Sequence, residues 1–238
     1  MSWLTSILSA IVFYIGTSVL VILMLPVCLS ARIAPLAGRL WGRFASFVAW
    51  ISGISFCLEG NVPKGKQVIY AVKHQSAWET MVLFWVLYDP IIVMKQELMR
   101  IPFIGWVFKR TGSIGVDRSA GMAALKKLKR DALIAVETGR PLLIFPQGTR
   151  VLPRTEAPYQ IGVYALYSAT GLPVVPVALN SGSFWPRKGI RKYPGCITLE
   201  FLPEIAPGLP RAAFMATLEE QIEQATARLE KGDSTQKD

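Results

Sequence analysis

His74 is the only histidine of the 238-residue chain, and Glu79 follows five residues later. An imidazole titrates near neutrality and can take a proton from a hydroxyl. A carboxylate beside it fixes its tautomer and steadies the imidazolium. Residues five apart do not share a face of a regular helix, so the two meet only if His74 lies in a turn and Glu79 in the first turn of the next helix. The local sequence fits that requirement. A β-branched and apolar run at 68–72 leads into His74, and Ser76-x-x-Glu79 ahead of the apolar stretch 81–87 is a capping-box pattern. His74 is thereby expected at the C-terminal end of a strand, where open α/β sheets bind ligands. The plainer alternative makes Glu79 only a cap and His74 only a turn residue.

Two further stretches carry donors for an anion. Phe145-Pro-Gln-Gly-Thr-Arg150 reads as a strand end and a tight turn. Gly148 permits close backbone approach, and Thr149 and Arg150 offer donors to a phosphate. The stretch 112–118, Gly-Ser-Ile-Gly-Val-Asp-Arg, is a second strand ending in arginine. Arg118 could form the other side of a phosphate clamp, because guanidinium binds phosphate oxygens bidentately. Lys126, Lys127, Lys129 and Arg130 read as a solvated or membrane-facing helix face rather than a reactive cluster. Serine hydrolysis lacks its G-x-S-x-G elbow, and Ser76 is more simply an N-cap. One histidine and no C-x-x-C speak against a zinc site. Cys28, Cys57 and Cys196 are scattered, which suggests no disulfide framework and suits a reducing compartment.

The elements that must position these residues follow from charge and pattern. The chain carries a net charge of +10 and is 52% hydrophobic, with mean hydropathy +0.37. Basic and apolar together point to an anionic lipid surface or an anionic amphiphile. No zinc finger, RNP-like strand or basic zipper supports nucleic acid. Residues 1–31 hold no charge and are long enough to span or embed in a bilayer. No basic residue precedes them, which argues against a cleaved signal peptide. Arg32, Arg39 and Arg43 follow and would place the next domain in the cytoplasm. Residues 44–58 form a second uncharged stretch, expected as an interfacial or packed helix with Trp41 and Trp50 at headgroup level.

Residues 1–58 are therefore expected to be N-terminal membrane-anchoring helices, 59–230 an α/β domain, and 231–238 a disordered tail. Strands are expected at 68–72, 91–94, 114–116, 142–145, 174–179 and 197–202. Helices are expected at 76–88, within 102–110, from 119 or 121 to about 138, and at 159–170 and 214–229. This alternation predicts an α/β fold with a largely parallel sheet flanked by helices.

Taken together, the motifs resemble the membrane-bound glycerolipid acyltransferases. His74-x4-Glu79 resembles the family's His-x4-Asp. Lys95-x-Glu97-Leu98 with Pro102 and Gly105 resembles its K-x-E-L…P…G block. Residues 112–118 resemble G-x5-R, 145–150 resemble F-P-E-G-T-R, and Val175-Pro176-Val177 resembles V-P-V. The match runs from about 68 to 180 in the family's order. Two residues depart from the pattern: Glu79 stands where the family has Asp, and Gln147 where it has Glu. Gln147 keeps hydrogen bonding but not charge.

The resemblance implies a chemistry. His74, oriented by Glu79, would deprotonate the sn-2 hydroxyl of lysophosphatidic acid, which attacks the thioester of acyl-CoA or acyl-carrier protein to give phosphatidate. Arg118 and Arg150, with Lys95, Gln147, Gly148 and Thr149, would bind substrate. No metal, cofactor or covalent intermediate is implied, and the partners are the lyso-lipid, the acyl donor and membrane lipids, not nucleic acid. A hydrophobic tunnel for the acyl chain is implied as well. The place implied is a bacterial inner membrane, with the domain facing the cytoplasm. The alternatives are a sister enzyme acting on a lyso-ornithine lipid or another lysophospholipid, a lipid A acyltransferase, or an inactive membrane lipid-binding protein.

Overall fold

The computed structural model describes residues 3–26, 30, 33–63, 65–102 and 104–234. Seven strands form one sheet: β1 (Ile54–Gly60), β2 (Ile69–Val72), β3 (Ile91–Lys95), β4 (Ile114–Val116), β5 (Leu142–Ile144), β6 (Val174–Leu179) and β7 (Gly195–Phe201). Their order is β1-β7-β6-β2-β5-β3-β4. Every pair is parallel except β6 with β7. The central strands are apolar throughout because helices cover both faces; all four residues of β2 and all six of β6 are buried. Pro176 fits inside β6 because its missing N–H points toward β7, whose ladder with β6 begins only at Val177.

One face carries α1 (Trp3–Met24), α2 (Ala34–Ile51), α3 (Trp78–Val86), α4 (Ile104–Arg110) and α7 (Ser181–Phe184); the other carries α5 (Gly121–Val136), α6 (Gly162–Thr170) and α8 (Arg211–Ser234). Helix α8 buries Phe214, Leu218 and Ile222, a four-residue repeat that matches its apolar stripe. Among the described residues α1 is the one helix long and apolar enough to cross a membrane. It lies against the domain rather than clear of it. Ser6 and Ser9 are buried, Val12 and Phe13 pack on the core, and Gly16 leaves room for the Phe44 ring. Leu4, Leu8, Ile11, Ile15, Ile22 and Leu23 point outward and are exposed.

Three expectations change. Residues 44–58 are not one helix: α2 stops at Ile51, Gly53 takes a left-handed φ of 69°, and 54–60 becomes edge strand β1. A short apolar run does not distinguish strand from helix by periodicity, and the open edge of β7 decides it. The α/β domain therefore begins before residue 59. The helix expected from Ser76 starts at Trp78. Residues 231–234 continue α8, while 235–238 lie outside the described residues, as do Cys28 and Arg32.

Candidate active site

The five strands β2 to β6 run parallel, so their C-terminal ends share one edge of the sheet. His74 follows β2, the 145–150 turn follows β5, Arg118 follows β4, Lys95 ends β3 and Ser181 follows β6. The backbone N–H of Val151 donates to the carbonyl of His74 at 2.8 Å, which draws the 145–150 turn alongside the histidine. The His74 ring stacks on Phe145 with centroids 4.0 Å apart.

His74 Nδ1 lies 2.9 Å from Glu79 Oε1. Glu79 is completely buried, and its carboxylate accepts four more hydrogen bonds. The N–H groups of Gln75 and Ser76 donate to Oε1 at 2.7 Å each, and the hydroxyls of Ser76 and Ser181 donate to Oε2 at 2.9 and 2.8 Å. Burial alone would raise this carboxyl. The hydrogen bond and attraction of His74, with the backbone amides, outweigh burial and hold it below the ordinary carboxylate range. An ionised acceptor at Nδ1 places the ring proton there and leaves Nε2 as the basic nitrogen. No described residue hydrogen-bonds Nε2, and the ring remains 15% exposed.

The capping-box expectation holds in one of its two hydrogen bonds, because the N-cap position falls at Ala77 rather than Ser76. Ser76 Oγ accepts from the Trp78 N–H at 2.8 Å, and Glu79 reaches back to the Ser76 N–H. The carboxylate that reaches back to the Ser76 N–H also meets the imidazole, so the helix-start contact and the His74–Glu79 pairing share one geometry. Glu79 in place of Asp is accommodated by this fold-back.

The anion donors divide between two cavities. Arg118 donates to the Gly148 carbonyl, and Gly148 has a φ of 67° at which a side chain would run into the guanidinium. The two motif blocks thus meet through a glycine. Arg118 and Gly148 line a mainly apolar cavity of about 420 Å³, walled also by Leu125, Leu128, Ile144 and Val163. Arg150 lines a different cavity of about 130 Å³, beside Ala77. The expected single clamp of Arg118 with Arg150 is therefore not what the structure builds. Thr149 is exposed. Lys95 pairs with Glu97 at 3.0 Å on the surface and is among the cations near Asp117.

Gln147, expected at the substrate, turns inward instead. It is 2% exposed, and its Nε2 donates to Glu223 Oε1 at 3.3 Å. Glu223, on α8, also accepts from Lys73 Nζ at 2.6 Å and from the Tyr159 hydroxyl at 2.8 Å. The burial of Tyr159, with Glu223 beside it, pushes the phenol well above its usual range. Seven residues on, Glu230 accepts from Gln75 at 2.7 Å and from the Arg154 N–H at 2.9 Å. Ser181, Gln75, Glu223 and Glu230 escaped the sequence reading. Only the seven-residue spacing of two glutamates on one helix face hinted at the last pair. Among the described residues no three His, Cys, Asp or Glu side chains converge as a metal site.

The sequence profile of the Acyltransferase family matches residues 54–180, more than half of the chain. The chain belongs to the Acyltransferase family. The matched region starts at β1, in agreement with the domain beginning there. Over 167 residues the chain is 38% identical to a 1-acyl-sn-glycerol-3-phosphate acyltransferase of Pseudomonas aeruginosa, covering 68% of this chain and 64% of that one. A protein of the same name from Borreliella burgdorferi is 31% identical over 144 residues, or 57% of this chain and 56% of that one. The chain thus spans less than two thirds of the length of these curated relatives. The acyltransferase fold is matched by the crystal structure of the 1-acyl-sn-glycerophosphate (LPA) acyltransferase of Thermotoga maritima. Its TM-score is 0.77 at 19% identity, over 96% of this chain and 98% of that one.

Proposed function

We propose that this chain transfers an acyl group from acyl-CoA or acyl-carrier protein to the sn-2 hydroxyl of 1-acylglycerol-3-phosphate, giving phosphatidate and the free thiol. The observation that carries the reading is the His74–Glu79 pair: a buried, fully hydrogen-bonded carboxylate fixes Nδ1 and leaves Nε2 open. The names of the relatives support lysophosphatidate as the acceptor. Nε2 removes the hydroxyl proton as the oxygen attacks the thioester carbonyl, and the imidazolium gains the charge of Glu79 as its partner. The departing thiolate takes that proton. Arg150 holds the acceptor phosphate, and Arg118, with Lys95 near it, stands on the donor's side. The apolar cavity of about 420 Å³ offers room for an acyl chain. The donor is a substrate, and the chemistry calls for no cofactor. The outward apolar face of α1 rests in the bilayer; a bacterial inner membrane, with the domain on its cytoplasmic side, suits both substrates.

The test is thiol release by detergent-purified protein from palmitoyl-CoA and from acyl-carrier protein, with and without lysophosphatidate. Release that requires lysophosphatidate and is lost in His74→Ala supports the reading. Release only with another lyso-lipid keeps the chemistry and changes the acceptor. No release from folded protein overturns it.

A further inference from the structure

Three cations converge on the cavity of about 130 Å³ that adjoins the catalytic turn, and no carboxylate lines it. Arg150, Arg187 and Lys192 meet Phe13 and Tyr14 of α1 there, and Ala77 also lines it. Among the described residues none of the three cations forms an ion pair. Arg187 Nη1 donates to the Arg150 carbonyl at 2.7 Å, so the loop after α7 is tied directly to the 145–150 turn. Lys192 is 8% exposed; its Nζ lies 4.5 Å from the Trp185 ring centroid and donates to the Ile190 carbonyl at 3.2 Å. Its backbone N–H donates to Ser6 Oγ of α1 at 3.2 Å. Burial lowers the Lys192 amino group to about 8. Withdrawing a cation from water beside two others is unfavourable unless an anion joins them.

The other walls narrow the class of anion. Phe13 and Tyr14 belong to the helix whose outward face is apolar and exposed, so the cavity is bounded by cations on one side and a lipid-facing helix on the other. Arg118 serves the other cavity and cannot supply the charge here. We infer that this cavity is a phosphate-monoester site reached from the bilayer, in which Arg187 and Lys192 join Arg150 to hold the headgroup of a single-chain anionic amphiphile. The assignment deepens the proposed reading and rests on it for the identity of the acceptor. It makes Arg187 and Lys192, outside every motif block of the family resemblance, determinants of acceptor specificity.

The experiment is equilibrium binding of lysophosphatidate to the full-length protein in neutral detergent micelles, with the kinetics of thiol release alongside. Arg187→Ala and Lys192→Met should each weaken binding and raise the acceptor KM about tenfold, the loss expected for one charge-assisted contact, with a smaller effect on kcat. Lys192→Arg should recover most of the affinity, which a purely structural role would not. Lys188→Ala, on the same loop but not lining the cavity, should bind as wild type does. Wild-type affinity in both Arg187→Ala and Lys192→Met overturns the inference, as does absence of lysophosphatidate binding by wild type. Equal weakening by all three loop variants, confined to phosphatidylglycerol vesicles and absent in neutral micelles, also overturns it, in favour of a bilayer-docking loop. Binding that depends on Arg187 and Lys192 without any thiol release upholds the site and sinks the acyl-transfer reading alone.

Discussion

Glu79 holds His74, and Glu223 holds Lys73, the residue before it. Consecutive residues at a strand end point to opposite faces, so each carboxylate serves one face of the sheet. Glu79 takes most of its donors from within five residues and is completely buried. Glu223 draws on Lys73, Tyr159 and Gln147, up to 150 residues away, and its side chain keeps 27% exposure. The difference separates two tasks. The local carboxylate presents the His74 ring in one tautomer. The distant one fastens α8 across the ends of β2 and β5.

Variants of the two partners break the comparison if the tasks are not separate. His74→Ala should lower kcat for thiol release by about 10²–10⁴-fold, the range for removing a general base, in a protein that still folds and loses about 1.5–3 kcal/mol for the donor taken from the Glu79 carboxylate. Retention of more than a tenth of the wild-type kcat removes His74 from the chemistry. Glu223→Ala should act on stability first, costing about 3 kcal/mol in denaturant unfolding. That is the low end for breaking a buried ion pair, because Glu223 keeps some solvent contact. A large loss of kcat with unchanged stability would merge the two carboxylates into one task.

Smaller changes sharpen the contrast. Ser181→Ala removes one neutral donor from a buried carboxylate and should cost about 1.5–3 kcal/mol of stability. Unfolding followed across acid pH gives the sign. The carboxyl of Glu79 is held below its ordinary value, so its contribution is present above that ordinary value and is lost as pH falls through the depressed one. Glu79→Gln should flatten that acid limb. Gln147→Glu restores the family's residue but replaces a donor to Glu223 with a second carboxylate, and should cost about 1 kcal/mol at neutral pH. A stabilised Gln147→Glu protein would show that the donation from Gln147 to Glu223 does not help to hold α8 in place.

How much was readable without coordinates varied with sequence distance. The run into His74, the Ser76–Glu79 cap and the apolar strands 114–116 and 174–179 show in the chain because neighbouring residues make them. The strand at 54–60 did not, because its apolar run becomes a strand only when β7 offers an unpaired edge. Ser181 looked like one serine among many, since its value lies in reaching a carboxylate 102 residues away. Gln147 reads as a substrate contact from its place in the resembled 145–150 block; its burial under α8 depends on a helix 76 residues further on.

Local pattern alone therefore determined the alternating α/β order, the histidine in a turn, its carboxylate partner and the family, because each depends on propensity, capping or spacing over a few residues. Tertiary structure decided the rest: which arginine faces which cavity, that Arg187 and Lys192 join Arg150, and that Glu223 secures Lys73. Those outcomes depend on chain crossings that bring together segments separated by 30 to more than 100 residues. Charge and burial at such meetings are properties of the packed volume, not of any one stretch of chain.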